Sequence, residues 1–432
     1  MIRYSDKHIV KFLLVVMVVT SSMFVLQIAG RTDFLWAQIL YCAVMLVTTK
    51  KINPLKYPAI NYIFGMLFVS GVLAQASSMP DSYKKTALVM PLMLLPLYLT
   101  CMYFDGNIRR NKNWLKTIVS LLKVSVIIQM IWFAVQLVAY NALHIDVNKE
   151  LFVNTLHMLD NASFIRNWVY YPSGLSWHSA TLAPLFVMGF ILFDNVYIRL
   201  LIVAEALLCG NATTFIGVIL CATLMIGYKF IFVDKKRISR KAAYALMLLL
   251  VLSPVVLLRF DLGAVIVNRI EFLWGRLFGR QRDESSIAHL SYFTDYFKIV
   301  KGSSLLRVLF GYGYGCSGYP ITQIYDRYAS LTNWSIECDI VDILVSRGVF
   351  GFIGYYYFMF KIMLKGARLD YRYFILMFVI FVQGFGYNIQ FDYVLMIEIL
   401  LYISIARGVN FFEQKAPGKG LKRALNFSDL EV

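Results

Sequence analysis

The stretch TIVSLLKVSVIIQMIWFAVQLVAY, residues 117–140, decides the fold class of this chain. Of its 24 residues 18 are hydrophobic and only Lys123 is charged, and roughly 20 mostly apolar residues in a helix cross a hydrocarbon core about 30 Å thick. Only a helix or a closed barrel satisfies its own backbone hydrogen bonds there. The stretch therefore predicts a membrane-spanning helix.

Comparable segments recur along the whole chain. With 59% hydrophobic residues, 16% charged residues and a mean hydropathy of +0.65, the composition is that of a polytopic membrane protein rather than a soluble domain. We predict an all-α integral membrane protein with about twelve transmembrane helices. The predicted segments are residues 9–30, 34–49, 58–76, 86–104, 117–140, 178–193, 196–209, 213–233, 243–259, 339–364, 373–388 and 391–406. The first segment ends in no A-x-A site, which favours a retained anchor over a cleaved signal peptide.

Lysine and arginine near the segment ends predict the orientation, because such residues stay on the cytoplasmic side. Basic clusters at residues 50–56, 109–116, 235–241 and 365–372 all fall on one side, together with the C-terminal tail. Both termini are then cytoplasmic, and two long loops face the periplasm or cell exterior. The predicted units are helices 1–5 in residues 1–140, a first outer loop in 141–177, helices 6–9 in 178–260, a large basic outer loop in 261–338, helices 10–12 in 339–406, and a cytoplasmic tail in 407–432.

The large outer loop is rich in arginine, which the orientation rule does not require. Guanidinium groups bind phosphate through a bidentate fork, so this loop suits an anionic lipid headgroup or a pyrophosphate. A solvated surface of mixed charge is the alternative. The candidate phosphate ligands in or beside the two outer loops are Arg166, Arg259, Arg269, Arg276, Arg280 and Arg347. A nucleic-acid partner is disfavoured because the basic loop lies outside and carries no recognition motif.

Motifs of soluble catalysts are mostly missing from the sequence. Gly313, Gly315 and Gly318 spell G-x-G-x-x-G, but no strand and helix of a dinucleotide-binding domain surround them, so we interpret them as a tight backbone turn. No Cys/His spacing predicts a metal site, and no cofactor is expected. Cys316 and Cys338 share the oxidising outer compartment, and a disulfide between them stays open.

Two stretches carry a family resemblance. RNWVYYPSGLSWHSATLAPL, residues 166–185, resembles the outer loop of bacterial O-antigen polymerases and ligases. LLRVLFGYGYG at residues 305–315, followed by NWSIECDIVDILVSRGVFGFIG at residues 333–354, resembles the end of their large periplasmic loop and its entry into a helix. The family motif there has a histidine and a polar residue, then nine spacers before two glycines. Counting back from Gly348 and Gly351 puts Glu337 at the histidine position and Cys338 at the polar one.

The resemblance implies a Wzy-type O-antigen polymerase of the inner membrane, a GT-C-like glycosyltransferase that uses neither metal nor nucleotide sugar. It would transfer a growing glycan from undecaprenyl pyrophosphate to the non-reducing-end sugar of another lipid-linked repeat unit, at the periplasmic face. The implied partners are these two lipid-linked oligosaccharides, the bilayer and a chain-length regulator of the polysaccharide co-polymerase type. A carboxylate in place of the family's histidine favours polymerase over ligase.

For the general base we favour Glu337, and either Asp339 or Asp342 could replace it. His178 is a further candidate, although a lone interfacial histidine is more often structural. Among the arginines, Arg347 lies at the edge of a membrane segment, five residues from Asp342 and too far for an ideal same-face pair. A transporter or flippase for lipid-linked oligosaccharide is the alternative of another class. Long outer loops count against it, as does the small number of charges in the middle of the predicted spans, where Lys123, Glu205 and Glu398 are exceptions.

Overall fold

The structure, a computed structural model, describes residues 58–108, 113–155, 164–166, 169–176, 179–228, 284–325, 336–387 and 392–406, together with residues 12, 15, 16, 18, 19, 40 and 42–44. This part of the chain is almost entirely helical. Its strand structure is one short hairpin, in which β1 (Phe164–Arg166) pairs antiparallel with β2 (Val169–Tyr171). The predicted all-α fold class is confirmed for these residues.

Nine of the twelve described helices follow the predicted segments closely, and the other three lie within the predicted large outer loop. The twelve described helices are α1 (Pro58–Gln75), α2 (Asp81–Ile108), α3 (Asn113–Leu143), α4 (Ala183–Leu192), α5 (Val196–Leu208), α6 (Ala212–Tyr228), α7 (Glu284–Gly302), α8 (Leu305–Phe310), α9 (Gly318–Ile324), α10 (Asp339–Ala367), α11 (Tyr371–Gln383) and α12 (Asp392–Ala406). A π-helical turn spans Lys149–Thr155, and a 3₁₀ turn, Ser179–Leu182, leads into α4. The predicted segment 243–259 lies outside the described residues, and only single residues of 9–30 and 34–49 are described.

Three of the described helices are long and apolar enough to cross a membrane. These are Asp81–Tyr103 within α2, Lys116–Leu143 within α3, and α10. Shorter apolar helices accompany them at Ile60–Gln75, Ser179–Leu192, Thr213–Tyr228, Tyr371–Gln383 and Ile397–Ala406. Their length and composition indicate a membrane-associated protein. The count of twelve spans stays a prediction.

The short helix α4 lies at the centre of the bundle. Every residue from Ala183 to Leu192 is buried, and α4 packs against α3, α5, α6 and α11. A helix that is apolar on all sides buries all sides, and the sequence APLFVMGFIL has no polar face. The helices around it therefore carry the exposed surface of the bundle.

Several helix ends meet at one end of the bundle. The N–H of Asp339, the first residue of α10, donates to the carbonyl of Gly384, which follows α11, at 2.8 Å. Gln383, the last residue of α11, donates from Nε2 to the carbonyl of Thr213 in the first turn of α6, at 3.2 Å. The start of α10, the end of α11 and the start of α6 thus lie side by side.

Both predicted outer loops also join the helices at this end of the bundle. Thr214 donates from Oγ1 to the carbonyl of Ser179, just before α4, at 3.2 Å. Residues 311–317 pass between α10 and α2, where a Cβ built on Gly313 would lie 2.5 Å from the Cβ of Ala87. We call the end of the bundle where Ser179, Thr213, Asp339 and Gly384 meet the site end. The predicted topology assigns all of these helix ends and loops to the outer side.

Candidate functional site

The site is organised by a break in α10. Gly348 has φ 68° and ψ −178°, a conformation essentially restricted to glycine, so the helix is interrupted within its first half. The interruption leaves carbonyl groups before Gly348 without their intrahelical partners. Two of them accept hydrogen bonds from the predicted outer loop instead: the N–H of Tyr312 donates to the carbonyl of Val345, and the N–H of Gly313 donates to the carbonyl of Ser346, each at 2.9 Å. The loop therefore supplies the hydrogen-bond donors that these two carbonyl groups of the interrupted helix lack.

The contact between loop and helix is a contact between backbones. A Cβ built on Gly348 would lie 2.4 Å from the carbonyl carbon of Leu309 and the nitrogen of Phe310. The glycine-rich turn of residues 311–315 thus allows the backbone of the loop to lie close to α10 and α2. This agrees with its interpretation as a tight turn.

Arg347 is buried at this break. Its side chain is 5% exposed, and its guanidinium carbon lies 5.1 Å from the ring centre of Tyr314 and 4.9 Å from that of Tyr355. Its Nε has no hydrogen-bond partner, and no carboxylate of the described residues forms an ion pair with it. Two aromatic faces therefore hold this buried cation, and the charge of Asp342 acts on it without a direct ion pair. A guanidinium held in this way can also attract an anion.

Asp342 lies one turn before Arg347 and is 2% exposed. The hydroxyl of Ser317 donates to its Oδ1, and the same hydroxyl oxygen accepts from the N–H of Ile336 at 2.9 Å. Through Ser317 and Ile336, Asp342 therefore connects α10 to the parts of the loop that precede and follow residues 326–335, which are not described. The five-residue spacing does not produce an ion pair with Arg347, as the sequence indicated.

Asp339 begins α10 and is 1% exposed. A Cβ built on Gly384 would lie 2.5 Å from its Oδ2, so its carboxylate packs directly against the end of α11. Both Asp339 and Asp342 fall in the first turn of α10, where the helix dipole stabilises negative charge. They are structural neighbours of the break rather than surface carboxylates.

Glu337 differs from these two aspartates in exposure. It lies in the turn before α10 and is only partly buried. Its charge acts on the phenol of Tyr387, beyond the end of α11, which places it at the site end. Of the three predicted carboxylates, Glu337 is the only one that is partly exposed.

The first outer loop reaches the site end through a buried polar network. Gln136 of α3 accepts from the N–H of Gly174 at 2.8 Å, and Gln129 accepts from the N–H of Leu175 at 2.7 Å. Asn148 donates to the carbonyl of Gly174 at 2.8 Å. These amides hold the PSGL turn, which carries part of the family resemblance, against α3. Sequence reasoning missed the two glutamines, although polar residues within a lipid-facing helix are a signal that could have found them.

Several predicted site residues cannot be placed. Arg166 is the last residue of β1, but only its backbone is described. His178 and the arginines at 259, 269, 276 and 280 lie outside the described residues. Of the predicted arginines, Arg347 is the one whose side chain is described, and it lies beside the break in α10.

The two loop cysteines are separate thiols. Cys316 and Cys338 are both buried, and the thiol of Cys316 donates to the carbonyl of Tyr83 at 3.2 Å. Burial raises the pKa of Cys316 to about 12 and that of Cys338 to about 11. The disulfide that the sequence left open is not present in this structure.

Glu398 of α12 is the buried acid whose role the sequence did not assign. It is 0% exposed, and neither carboxylate oxygen has a hydrogen-bond partner. The hydroxyl of Tyr373 donates to its backbone carbonyl at 3.0 Å, and the charge of Asp339 acts on its carboxylate. An ionisable group in an apolar helix is rarely retained without a role.

The arrangement combines a buried arginine beside the break in α10, two buried aspartates in the first turn of that helix and a partly exposed glutamate just before it. It can hold an anionic group at Arg347 and accept a proton at Glu337. Within the described part of the chain, no three His, Cys, Asp or Glu side chains converge as metal ligands would. A scan of the chain against models of known protein families and a search of curated proteins both find no match.

Proposed function

We propose that this protein is an O-antigen polymerase, a membrane glycosyltransferase that acts on lipid-linked oligosaccharides at the outer face of a bacterial inner membrane. The observation that carries the proposal is Arg347, a buried arginine without an ion pair at a break in an apolar helix. The family resemblance of residues 305–315 and 333–354 supports it, because these two stretches form the break together.

The proposed chemistry uses the charges of the site directly. The hydroxyl oxygen of the acceptor sugar attacks the anomeric carbon of the donor glycan, and the bond from that carbon to the pyrophosphate oxygen breaks. Glu337 takes the hydroxyl proton, and undecaprenyl pyrophosphate leaves with the bonding electron pair. A preorganised guanidinium in a site of low dielectric stabilises the charge that develops on the leaving group. Arg347 is our candidate for this role among the described residues.

A second candidate function follows from the same break. Discontinuous helices with buried charges also form the substrate sites of membrane transporters. A flippase for lipid-linked oligosaccharide would use Arg347 to hold the pyrophosphate and would not need Glu337. The two functions therefore differ in their dependence on the glutamate.

The deciding experiment is the surface-glycan ladder of a strain that lacks the protein. We expect single-repeat glycans in this strain and a full ladder after complementation with the wild-type protein. Glu337→Gln and Arg347→Gln, at matched membrane levels, should both fail to restore the ladder. Loss of all surface glycan, including single repeats, would instead favour the ligase or the flippase.

Two variants serve as matched controls. Glu150 is an exposed glutamate in the π-helical turn of the first outer loop, and Arg368 is an exposed arginine at the opposite end of α10. Glu150→Gln and Arg368→Gln should restore the ladder fully. A full ladder with Glu337→Gln would contradict the proposed base and move the role to Asp339, Asp342 or His178.

A further inference from the structure

The outer loop carries an apolar stripe on α7. Phe293 is 38% exposed and Phe297 is 66% exposed, one helical turn apart. The opposite face of α7 is buried and includes Tyr292, Asp295 and Ile299. The helix is thus oriented by its contacts with the protein, and its large aromatic side chains point away from them.

The next helix extends this stripe. Leu305 is 73% exposed, Leu306 is 57% exposed, and α8 has no buried residue. Its position is nevertheless fixed, because Arg307 donates to the carbonyl of Leu73 at the end of α1 at 2.9 Å and to the carbonyl of Gly311 at 3.1 Å. The exposure of the two leucines is therefore a property of a docked helix.

Each of the two helices touches an exposed aromatic residue of the bundle, one within α10 and one just beyond α11. The ring of Phe310 lies 5.4 Å from that of Phe350 on α10, and the ring of Phe293 lies 6.4 Å from that of Phe385 beyond α11. From Phe350, a row of exposed apolar side chains continues down α10. This row consists of Phe350, Ile353, Tyr357, Phe360 and Leu364. Because α10 has the length and composition of a membrane span, the row is its lipid-facing side.

A basic edge borders the stripe. Lys298 donates to Tyr325 at 2.7 Å and to Asp295 at 3.0 Å, and these hydrogen bonds raise its pKa. Lys301, one turn on, is exposed. Aromatic and aliphatic side chains beside lysines are typical of a helix that lies in the plane of a membrane interface. The lysines remain at headgroup level while the apolar side chains reach the acyl boundary.

We infer that α7 and α8 lie in the outer interface of the bilayer, with Phe293, Phe297, Leu305 and Leu306 inserted among the lipids. The contact of Phe310 with Phe350 in the exposed row of α10, and that of Phe293 with the exposed Phe385, carry the inference. Residues 311–317 follow α8 directly, so lipid contact holds the loop that completes the broken helix at membrane level. The inference requires that the chain spans a membrane, but it does not depend on the proposed enzymatic activity.

Spin labels on the full chain in lipid nanodiscs test this placement. Phe297→Cys and Leu306→Cys introduce labels on the stripe, and Lys301→Cys introduces one on its basic edge as a matched control. The six native cysteines are buried, so the unsubstituted protein serves as the blank. We expect labels at 297 and 306 to collide more with oxygen than with a water-soluble nickel chelate. The label at 301 should show the reverse order.

Two outcomes would overturn the inference. Labels at 297 and 306 that are as accessible to the nickel chelate as the label at 301 would place the stripe in water. Labels shielded from both reagents would mean that another protein surface covers it. This measurement needs no substrate, so it stands apart from the ladder experiment on the proposed function.

Discussion

Substitution of Gly348 tests whether the break in α10 is required by the fold. In Gly348→Ala the new side chain must adopt φ 68° and ψ −178°, which costs about 1–3 kcal/mol for a residue other than glycine. The Cβ would also lie 2.4 Å from the backbone of Leu309 and Phe310, and relieving such overpacking costs about 1–3 kcal/mol more. We therefore expect a loss of about 2–6 kcal/mol in the free energy of unfolding. This is at least a roughly 30-fold change in the folded-to-unfolded ratio.

The assay is equilibrium unfolding of the purified protein in detergent, compared with Gly65→Ala. Gly65 lies in α1 with open space around its Cα, so its replacement should leave stability unchanged within about 0.5 kcal/mol or raise it slightly. A regular, unbroken helix would accept alanine at both positions. Equal stability of the two variants would refute the broken helix and the backbone contact with the loop.

Three further outcomes follow from buried groups. Glu398→Met removes two carboxylate oxygens without hydrogen-bond partners and should raise the free energy of unfolding by about 1–3 kcal/mol; a decrease would mean that these oxygens have partners. Gln136→Leu leaves the N–H of Gly174 without its acceptor and should cost about 1–3 kcal/mol in the same assay, whereas an unchanged midpoint would contradict the network on α3. Since Cys316 and Cys338 have pKa values of about 12 and about 11, both thiols stay protonated at pH 8, and maleimide should modify them at least roughly 10-fold more slowly in the folded than in the denatured protein. Equal rates, read by mass spectrometry of the labelled peptides, would show that they are exposed.

Hydropathy predicted the described helices well, because length and apolar composition are local properties of the sequence. Residues 117–140 and 339–364 became α3 and α10 with ends shifted by only a few residues. The break at Gly348 could not be predicted in this way. It depends on hydrogen bonds from Tyr312 and Gly313, which reach α10 from a distant part of the sequence.

The residues of the candidate site were predicted from the sequence, but not their surroundings. Glu337, Asp339, Asp342 and Arg347 were proposed from the motif and from the rarity of charges in membrane segments. The structure places both aspartates in the first turn of α10 and Arg347 beside the break, and the roles of these residues stay predictions. Sequence spacing does not predict how exposed a side chain is. The three neighbouring carboxylates look alike in sequence, yet only that of Glu337 belongs to a partly exposed residue. The isolation of Glu398 from hydrogen-bond partners is likewise a tertiary property.

The hydrogen bonds from Tyr312 and Gly313 have a consequence for biogenesis. If α10 entered the bilayer alone and kept its break, the carbonyls of Val345 and Ser346 would face hydrocarbon unpaired, at a cost of several kcal/mol each. The loop that supplies their partners is synthesised first and, in the predicted topology, must already have crossed the membrane. We therefore expect translocation of the loop to precede stable integration of α10, so that the order of synthesis is also the order of assembly.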